Sequence, residues 1–202
     1  SESKTTEYAS VESLTEIDEL VSLGQSWKLI DLRKPEEFKK GHISGALNVW
    51  RTDLADTSFT YGGMMPTQFQ MELLLSRLGI NPTDTIVIYD HKAQCDAARL
   101  WWGLKFYGHQ NVKLLNGGLA TWNALGNDLS IDTEVSDTTA YRFHLQPDSS
   151  FLALLGAIEL MLDSNLLLLD TRGKEEYSGE FHKNGAAHAG HINGAINLDW
   201  AM

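Results

Sequence analysis

Few side chains in this sequence could do chemistry, and the single cysteine is the first of them. Cys95 lies close to the point where an apolar helical pattern with Ala97 and Trp101 begins. A thiol exposed near a helix N-terminus has a lowered pKa and can act as a nucleophile. One cysteine cannot form an intramolecular disulfide or build a cysteine-rich zinc or iron–sulfur site within this chain. We expect Cys95 to be an incidental or half-buried thiol rather than a nucleophile.

Two Asp-x-Arg sequences supply the other charged groups of interest. Asp31 and Arg33 follow one short apolar run, and Asp170 and Arg172 follow another. We expect both aspartates to accept hydrogen bonds from nearby turn amides, as carboxylates in turns commonly do. For Arg172 two hypotheses stay open at this point, a functional contact and a buried pairing with Asp170 or Glu175.

Three histidines close together raise the question of a metal site. His182, His188 and His191 are separated by a Gly/Ala-rich stretch, and no cysteine lies near them. A specific site needs several ligands held in a defined geometry, which this stretch does not predict. We therefore expect no metal. We expect His42 and His191 to satisfy backbone groups in tight turns with glycine on both sides.

The chain contains an internal repeat. Residues 30–38 match residues 169–177, and residues 41–48 match residues 190–197. The second copy carries ten extra residues between its two blocks, within 178–189. Two ordered blocks at nearly the same offset indicate a tandem duplication.

The apolar patterns around these blocks predict the elements that position them. Continuous apolar runs predict buried strands at residues 27–32, 46–49, 85–89, 112–115 and 166–169. Helical periodicity and cap signals predict helices after Ser13, from Pro35, over 66–78, through Ala97 and Leu104, from Gly118 through Trp122, and over 151–162. Strands that alternate with helices predict an α/β fold, with a parallel sheet covered by helices on both faces.

The first of these helices carries the clearest start and stop signals. Residues 13–16 read Ser-Leu-Thr-Glu, which is the pattern of a capping box. The apolar face of this helix would consist of Leu14, Ile17, Leu20 and Val21, and Gly24 would close the helix.

Charge and composition exclude several classes of protein. The chain has 16 Lys and Arg against 27 Asp and Glu, a formal net charge of −11. Nucleic acids and anionic membranes favour a basic face, so we expect neither as a partner. The richest apolar stretch, residues 151–162, is interrupted by Glu159 and is too short to span a bilayer. One cysteine suits cytoplasm and periplasm alike, and of these we favour the cytoplasm.

Length and patterning predict three segments. Residues 1–126 have the elements of one complete domain, and residues 148–202 begin a second copy. Residues 127–147 between them are predicted to be an acidic linker without apolar periodicity. Its charged residues are Asp128, Asp132, Glu134, Asp137 and Arg142.

Four blocks carry a resemblance to a known family. In chain order they are Asp-x-Arg with Glu-Glu-Phe (31–38), Gly-His-Ile-x-Gly-Ala (41–46), Ile-Tyr-Asp leading to Ala-Ala-Arg-x-Trp-Trp (88–102), and Leu-Asn-Gly-Gly-Leu with Trp (115–122). In this order and spacing they resemble the rhodanese family of sulfurtransferases in its two-domain form. The resemblance implies a complete rhodanese-like domain and the first half of a second one.

The resemblance also implies a chemistry without a cofactor. In this family a cysteine thiolate takes the outer sulfur of thiosulfate or of 3-mercaptopyruvate and becomes a persulfide. It then passes that sulfur to a thiophilic acceptor such as cyanide. The implied partners are therefore a small anionic sulfur donor and a thiophilic acceptor.

The same resemblance locates the site. Asp90 occupies the cysteine position of the first domain, which implies that this domain is catalytically silent. The spacing from His42 to Asp90, transferred to the second copy, predicts the nucleophilic cysteine near position 239, beyond Met202. We therefore expect no catalytic residue within these residues, and an inactive chain. Arg172 is the substrate-contacting residue that the resemblance implies.

Two further expectations concern assembly and function. We expect a missing C-terminal segment or a second subunit to cover the apolar faces of the incomplete second domain. The alternative to an enzyme is a non-catalytic module of the same family, used for protein binding or regulation.

Overall fold

The structure of the protein is a computed structural model that describes residues 12–23, 27–59, 62–91, 94–133, 137–162 and 166–201. It divides into two units, Ser1–Asp148 and Ser149–Met202. Within the described ranges, none of the helices combines the length and the apolar character that crossing a bilayer requires.

Among the described residues, a five-stranded parallel sheet forms the centre of the first unit. In chain order its strands are β1 (Leu14–Thr15), β2 (Trp27–Asp31), β3 (Ala46–Asn48), β4 (Thr85–Tyr89) and β5 (Val112–Leu115). Their order across the sheet is β1-β5-β4-β2-β3. β4 lies in the middle, and its residues 86–89 are fully buried. A strand covered on both faces is apolar at every position, which is why a continuous apolar run predicts it.

Helices cover both faces of this sheet. In chain order they are α1 (Ile17–Leu23), α2 (Pro35–Phe38), α3 (Gln68–Arg77), α4 (Cys95–Phe106) and α5 (Gly118–Ala124), with a 3₁₀ turn at Arg51–Leu54. Successive residues of a strand point to opposite faces. Ile86 and Ile88 therefore pack with α3 and α4, whereas Val87 and Tyr89 pack with α1 and α5. Each large side chain buried in this way contributes about 1.5–3 kcal/mol to the stability of the fold. The predicted α/β class is confirmed.

The N-terminal segment differs from its prediction. Leu14 lies in β1, opposite Leu114 of β5, and α1 begins only at Ile17. The reason is the edge of β5, whose backbone groups would otherwise lack partners. For example, the Asn116 amide donates to the Thr15 carbonyl at 2.9 Å. The expectation that Leu14 belongs to the apolar face of a helix is therefore wrong.

Other predicted helix ends shift by a few residues. The helix expected over 66–78 is α3, and its start is set by Thr67, whose hydroxyl oxygen accepts a hydrogen bond from the Gln70 amide. Val21, expected on the apolar face of the first helix, is 58% exposed. The predicted helix end at Gly24 lies outside the described residues.

Residues 139–148, here called the strap, lie against the first unit, although the sequence predicts an acidic linker over 127–147. The Thr139 amide donates to the Ser76 carbonyl, and the Tyr141 amide donates to the Ser76 hydroxyl oxygen at 3.0 Å. These bonds attach the strap to the end of α3. The described part of the predicted linker is thus packed on the first unit.

The strap is fastened by one buried aromatic residue. Tyr141 is 1% exposed, and its hydroxyl lies 2.8 Å from His109 Nδ1. Burial raises the pKa of Tyr141 and lowers the pKa of His109, because both charged forms lose their hydration. The Phe143 amide adds a bond to Glu72 Oε1 at 3.1 Å. Tyr141 and Phe143 both contact the core of the first unit, and they alternate with the exposed Arg142 and His144. An alternation this short is easily taken for part of a linker.

The second unit is smaller. In chain order its described elements are a 3₁₀ turn (Ser149–Phe151), α6 (Leu155–Leu162), β6 (Leu169–Asp170), α7 (Lys174–Ser178) and β7 (Ile196–Asn197). β6 and β7 pair in parallel. The helix predicted over 151–162 begins only at Leu155, and the strand predicted over 166–169 is shortened to two residues. In the first unit β2 is flanked by β3 and β4, whereas β6 pairs with β7 alone among the described strands.

The apolar residues of the second unit are open to solvent. Among its residues whose side chains the structure describes, Ala195 alone is buried. The large exposed hydrophobic residues are Leu152, Leu154, Leu155, Leu160, Leu166, Leu167, Leu169, Phe181, Ile192, Ile196, Leu198 and Trp200. An apolar surface of this extent is typical of a face that another segment covers.

Candidate functional site

The first Asp-x-Arg sequence forms a buried ion pair at the end of β2. Asp31 is fully buried and Arg33 is 8% exposed. The Arg33 amide donates to Asp31 Oδ1 at 2.8 Å, and Arg33 Nη2 donates to Asp31 Oδ2 at 2.6 Å and to the Gly41 carbonyl at 2.7 Å. The side-chain amide of Asn48 donates to the carbonyls of Asp31 and Arg33. The expectation that Asp31 accepts from a turn amide is confirmed.

The second Asp-x-Arg sequence repeats this arrangement. The Arg172 amide donates to Asp170 Oδ1 at 3.1 Å, and Arg172 Nη2 donates to Asp170 Oδ2 at 2.5 Å and to the Gly190 carbonyl at 2.9 Å. The side-chain amide of Asn197 donates to the carbonyls of Asp170 and Arg172. Hydrogen bonds from Arg172 lower the pKa of the Asp170 carboxyl. The pairing of Arg172 with Asp170, one of the two hypotheses, is therefore present.

The two copies differ in solvent access. The side chain of Arg172 is 43% exposed, against 8% for Arg33. Arg172 borders a cavity of about 530 Å³ whose lining also includes Thr171, His188 and His191. Within the described part of the chain, Arg172 Nη1 makes no hydrogen bond, although a guanidinium has five N–H donors. Nη1 of Arg172 is thus available to a ligand, while Nε and Nη2 are held.

Asp90 directly follows the central strand β4, five residues before the start of α4. Its carboxylate accepts hydrogen bonds from the amides of Gln94 at 2.9 Å and of Ala97 at 3.4 Å. The residue is 9% exposed, and this burial raises the pKa of its carboxyl. The hydrogen bonds from the two amides lower the same pKa, but by a smaller amount. A carboxylate at this position can bind amides, but it has no sulfur atom to transfer.

The free energy of unfolding of Asp90→Asn, compared with that of the wild type at the same pH, is expected to increase as the pH rises from about 4 to about 7. A carboxyl whose pKa is raised by folding stabilises the fold below its unfolded pKa, and it loses that contribution as the pH rises through its folded pKa. The neutral amide does not titrate. Urea unfolding of both proteins across this range measures the difference. A difference that stays constant or shrinks would contradict the prediction, and Asp128→Asn, at an exposed carboxyl, is the matched control.

Cys95 is the first residue of α4 and is exposed. The expectation that this position lowers its pKa is wrong. Partial burial of the thiol raises its pKa, and so do the nearby negative charges of Asp96 and Asp90. The positive charges of Arg51 and Arg99 lower this pKa, but by a smaller amount. Arg51 is itself paired with Asp96 at 3.0 Å. A thiol with a raised pKa is a weak nucleophile near neutral pH.

The histidines of the two Gly-His-Ile blocks bind backbone groups, as expected. His42 stacks on the ring of Phe38 with centroids 3.7 Å apart, and its Nδ1 lies 2.9 Å from the Phe38 carbonyl oxygen. His191 stacks on Tyr177 at the same centroid distance, with Nδ1 2.8 Å from the Tyr177 carbonyl oxygen. These contacts fix the turn that carries each Gly-His-Ile block.

The region around His191 has no metal-site geometry. His182 Nε2 lies 2.8 Å from the Ala186 carbonyl oxygen. In the described ranges no group of three or more His, Cys, Asp or Glu side chains is arranged to hold a metal ion. His188 and His191 instead line the cavity beside Arg172.

Sequence reasoning missed the groups that fix the two arginines. These are the carbonyls of Gly41 and Gly190 and the side-chain amides of Asn48 and Asn197. A signal for them was present, because each pair occupies equivalent positions in the two copies of the repeat. The repeated block begins with glycine and ends with asparagine in both copies. Such identity indicates that the two copies share a local backbone geometry, and it does not require that they share a chemical function.

The family model of the rhodanese-like domain matches residues 13–125. Among curated proteins, the thiosulfate sulfurtransferase of Azotobacter vinelandii is 35% identical over 176 residues, which cover 85% of this chain and 62% of that protein. The chain spans 55–66% of the length of the first curated relatives that it matches.

Solved structures show the same fold. SseA of Escherichia coli, described as a 3-mercaptopyruvate sulfotransferase, has a TM-score of 0.80 at 23% identity, covering 94% of this chain and 75% of that one. The 3-mercaptopyruvate sulfurtransferase from Leishmania major has a TM-score of 0.72 at 20% identity, covering 92% of this chain and 54% of that one. The family model covers more than half of the chain, and the parallel sheet agrees with the fold of these solved structures. The protein belongs to the family of rhodanese-like domain proteins.

Proposed function

We propose that this chain is part of a rhodanese-type sulfurtransferase, which moves sulfane sulfur from a small anionic donor to a thiophilic acceptor. Membership of the family supports this proposal, as does the similarity to a thiosulfate sulfurtransferase. The observation that carries it is the exposed guanidinium of Arg172 at the edge of a cavity. Thiosulfate is the donor we place first, and 3-mercaptopyruvate is second.

Arg172 is the residue that would hold the donor. Its Nε and Nη2 are fixed by Asp170 and by the Gly190 carbonyl, so the guanidinium is oriented before a ligand arrives. Nη1 can then donate to an anionic oxygen, a charge-assisted hydrogen bond that is stronger than a neutral one. A net charge of −11 does not oppose this contact, because the local field of the guanidinium acts at short range.

The reaction needs a cysteine thiolate, which the proposal places in the second copy of the repeat, near position 239. The thiolate attacks the outer sulfur of thiosulfate, the S–S bond of thiosulfate breaks, and sulfite leaves with the electron pair. Cyanide then attacks the outer sulfur of the persulfide. Thiocyanate forms and the thiolate is regenerated, so atoms and electrons balance in two displacement steps.

The first unit would then serve as a silent scaffold. Asp90 stands directly after β4, and the amides of Gln94 and Ala97 are bound to its own carboxylate. An anionic persulfide would need those same donors. The proposal therefore assigns the first unit no sulfur-transfer step.

Cys95 is expected to take up no sulfur. The 202-residue chain incubated with thiosulfate and then with cyanide should form no thiocyanate, because the pKa of the only thiol is raised. Intact-mass measurement before the addition of cyanide should show no gain of a sulfur atom. Cys95→Ser is the control, since a gain in the wild type that disappears in this variant would assign the nucleophile to Cys95.

The role of Arg172 is tested in a polypeptide with a complete second copy. Arg172→Met is expected to raise the KM for thiosulfate roughly tenfold or more, because one charge-assisted contact is lost. Arg142→Met, which changes an exposed arginine of the strap, should leave KM unchanged. Equal KM values for Arg172→Met and the wild type would contradict substrate contact and leave Arg172 a purely structural residue.

A non-catalytic binding module is the second candidate. The observation in its favour is Asp90, a residue that cannot carry sulfur, at the end of the central strand. Thiocyanate formation by the complete polypeptide would exclude this candidate, and its absence despite a folded second copy would favour it.

A further inference from the structure

His109 lies in the turn between α4 and β5, beneath the strap. It is 2% exposed, and its Nδ1 is 2.8 Å from the Tyr141 hydroxyl oxygen. The strap covers the preceding residue as well, because a Cβ added to Gly108 would lie 2.8 Å from Leu145 Cβ. Two strap residues, Tyr141 and Leu145, therefore lie over this turn and keep the histidine ring away from water.

The other ring nitrogen of His109 is buried without a partner. Among the residues that the structure describes, Nε2 makes no hydrogen bond and has no access to solvent. A neutral imidazole has one N–H donor and one acceptor nitrogen, whereas a protonated imidazole has two N–H donors and a positive charge. Under the closed strap the added charge and the added donor would lose their hydration, which costs free energy. The closed strap therefore favours the neutral ring.

Charged groups from the loop before β4, from α4 and from α3 act on this pair of side chains. The carboxylate of Asp84 and the backbone groups of Asp84 and Asn111 favour the protonated ring, whereas Lys105 of α4 disfavours it. Glu72 of α3 acts on the hydroxyl of the strap tyrosine. Burial has the largest effect, so the pKa of His109 is lowered in the closed structure.

The attachment of the strap allows it to open by itself. The strap belongs to no helix or strand that the structure describes. The hydrogen bonds described from its amides to the rest of the first unit are those of Thr139, Tyr141, Phe143 and Asp148. A segment that is held outside the sheet by a few bonds opens at a lower free energy than the whole domain unfolds.

We propose that His109 and Tyr141 form a pH-sensitive switch, in which protonation of His109 releases the strap from the first unit. In the open form water reaches the imidazole and hydrates the added charge. A lower pH therefore favours the open form, because that form takes up the proton more readily than the closed one. The strap leads along the chain into the second unit, so its release lengthens the free chain between the two units.

The switch depends neither on sulfur transfer nor on the second unit. Every group that it uses lies between Glu72 and Asp148, within the first unit. A failure of the proposed enzymatic activity would leave this inference untouched, and its tests need no substrate.

Hydrogen exchange of the 202-residue protein at about pH 7.5 and about pH 5 tests the switch. After correction for the intrinsic exchange rates, protection of the Tyr141 and Phe143 amides should fall about tenfold at the lower pH. The upper limit is about thirtyfold, for a histidine that titrates near its ordinary pKa of ~6.5 in the open form alone. The amides of β4 should stay better protected than those of the strap. Equal protection of both at the lower pH would show that the strap opens only by global unfolding, and would overturn the proposal.

Two histidine variants identify the titrating group. His109→Asn keeps a polar side-chain atom near the position of Nδ1 but cannot be protonated, so protection of the strap should be nearly the same at both pH values. His144→Gln, which changes an exposed histidine of the strap, is the matched control and should keep the fall. A fall of wild-type size in His109→Asn would contradict the proposal.

The reciprocal measurement is an NMR titration of the His109 ring. If protonation opens the strap, then release of the strap must raise the pKa of His109. In Tyr141→Ala this pKa should move up towards ~6.5, whereas in Tyr141→Phe the aromatic ring still covers His109 and the pKa should stay low. An unchanged pKa in Tyr141→Ala would overturn the proposal. This titration decides the question even if His109→Asn fails to fold.

Discussion

Arg33→Met is expected to lower the free energy of unfolding of the first unit by about 3–5 kcal/mol, the usual cost of leaving a buried charge without its partner. Asp31 is fully buried, and Arg33 supplies its side-chain hydrogen bonds through Nε and Nη2. The same change leaves the Gly41 carbonyl without the Nη2 donor. Urea unfolding followed by tryptophan fluorescence measures the loss.

Arg172→Met is the matched control for this prediction. It removes the same set of bonds, to Asp170 and to the Gly190 carbonyl, but from a side chain that is 43% exposed. The side chain of Asp170, which stays unpaired, is 11% exposed against 0% for Asp31. Water can reach Asp170 once Arg172 is removed, so the cost is expected to be well below that of Arg33→Met, at about 1 kcal/mol. Equal losses for the two variants would show that burial does not distinguish the copies, and the prediction would then be wrong.

Tyr141→Ala is expected to cost about 3–5 kcal/mol and to release the strap from the first unit. The ring of Tyr141 is 1% exposed and packs against Phe143 with centroids 5.0 Å apart. Its loss leaves a cavity between the strap and the core. Hydrogen exchange should then become faster at the amides of Thr139 and Phe143, which the strap bonds otherwise protect.

Tyr141→Phe separates the ring from its hydroxyl. This variant keeps the packing and removes only the hydrogen bond to His109, so the expected cost is about 0.5–1.5 kcal/mol. Hydrogen exchange in the strap should stay close to that of the wild type. Release of the strap in Tyr141→Phe as well would contradict the view that burial of the ring holds it.

The central part of the fold could be predicted from the sequence, because its signals are local. The bounds of β4 and β5 agree with the apolar runs over 85–89 and 112–115. Both strands are covered on two faces, so every position must be apolar and the run has sharp ends. The position of Asp31 and Asp170 at the ends of apolar runs also predicted that both bind turn amides, since their partners lie two residues away.

What could not be predicted depends on contacts that are distant in the chain. Leu14 is drawn into a strand by the edge of β5, about 100 positions later. The strap reads as a linker because only its fit to α3 buries Tyr141. The pKa of Cys95 is raised by burial and by the carboxylates of Asp96 and Asp90. The position of Cys95 at the start of a helix would lower this pKa, and the sequence does not show which of these effects is larger.

The strand order has a consequence for how the chain folds as it is synthesised. β1 lies at one edge of the sheet and pairs with β5, the last strand of the first unit to leave the ribosome. The strap, which closes the core over α3, is made later still. A nascent chain that ends before residue 148 therefore exposes apolar surface that only later residues cover. A nascent chain whose β5 has left the ribosome while the strap has not would carry a first unit with a complete sheet and an open core.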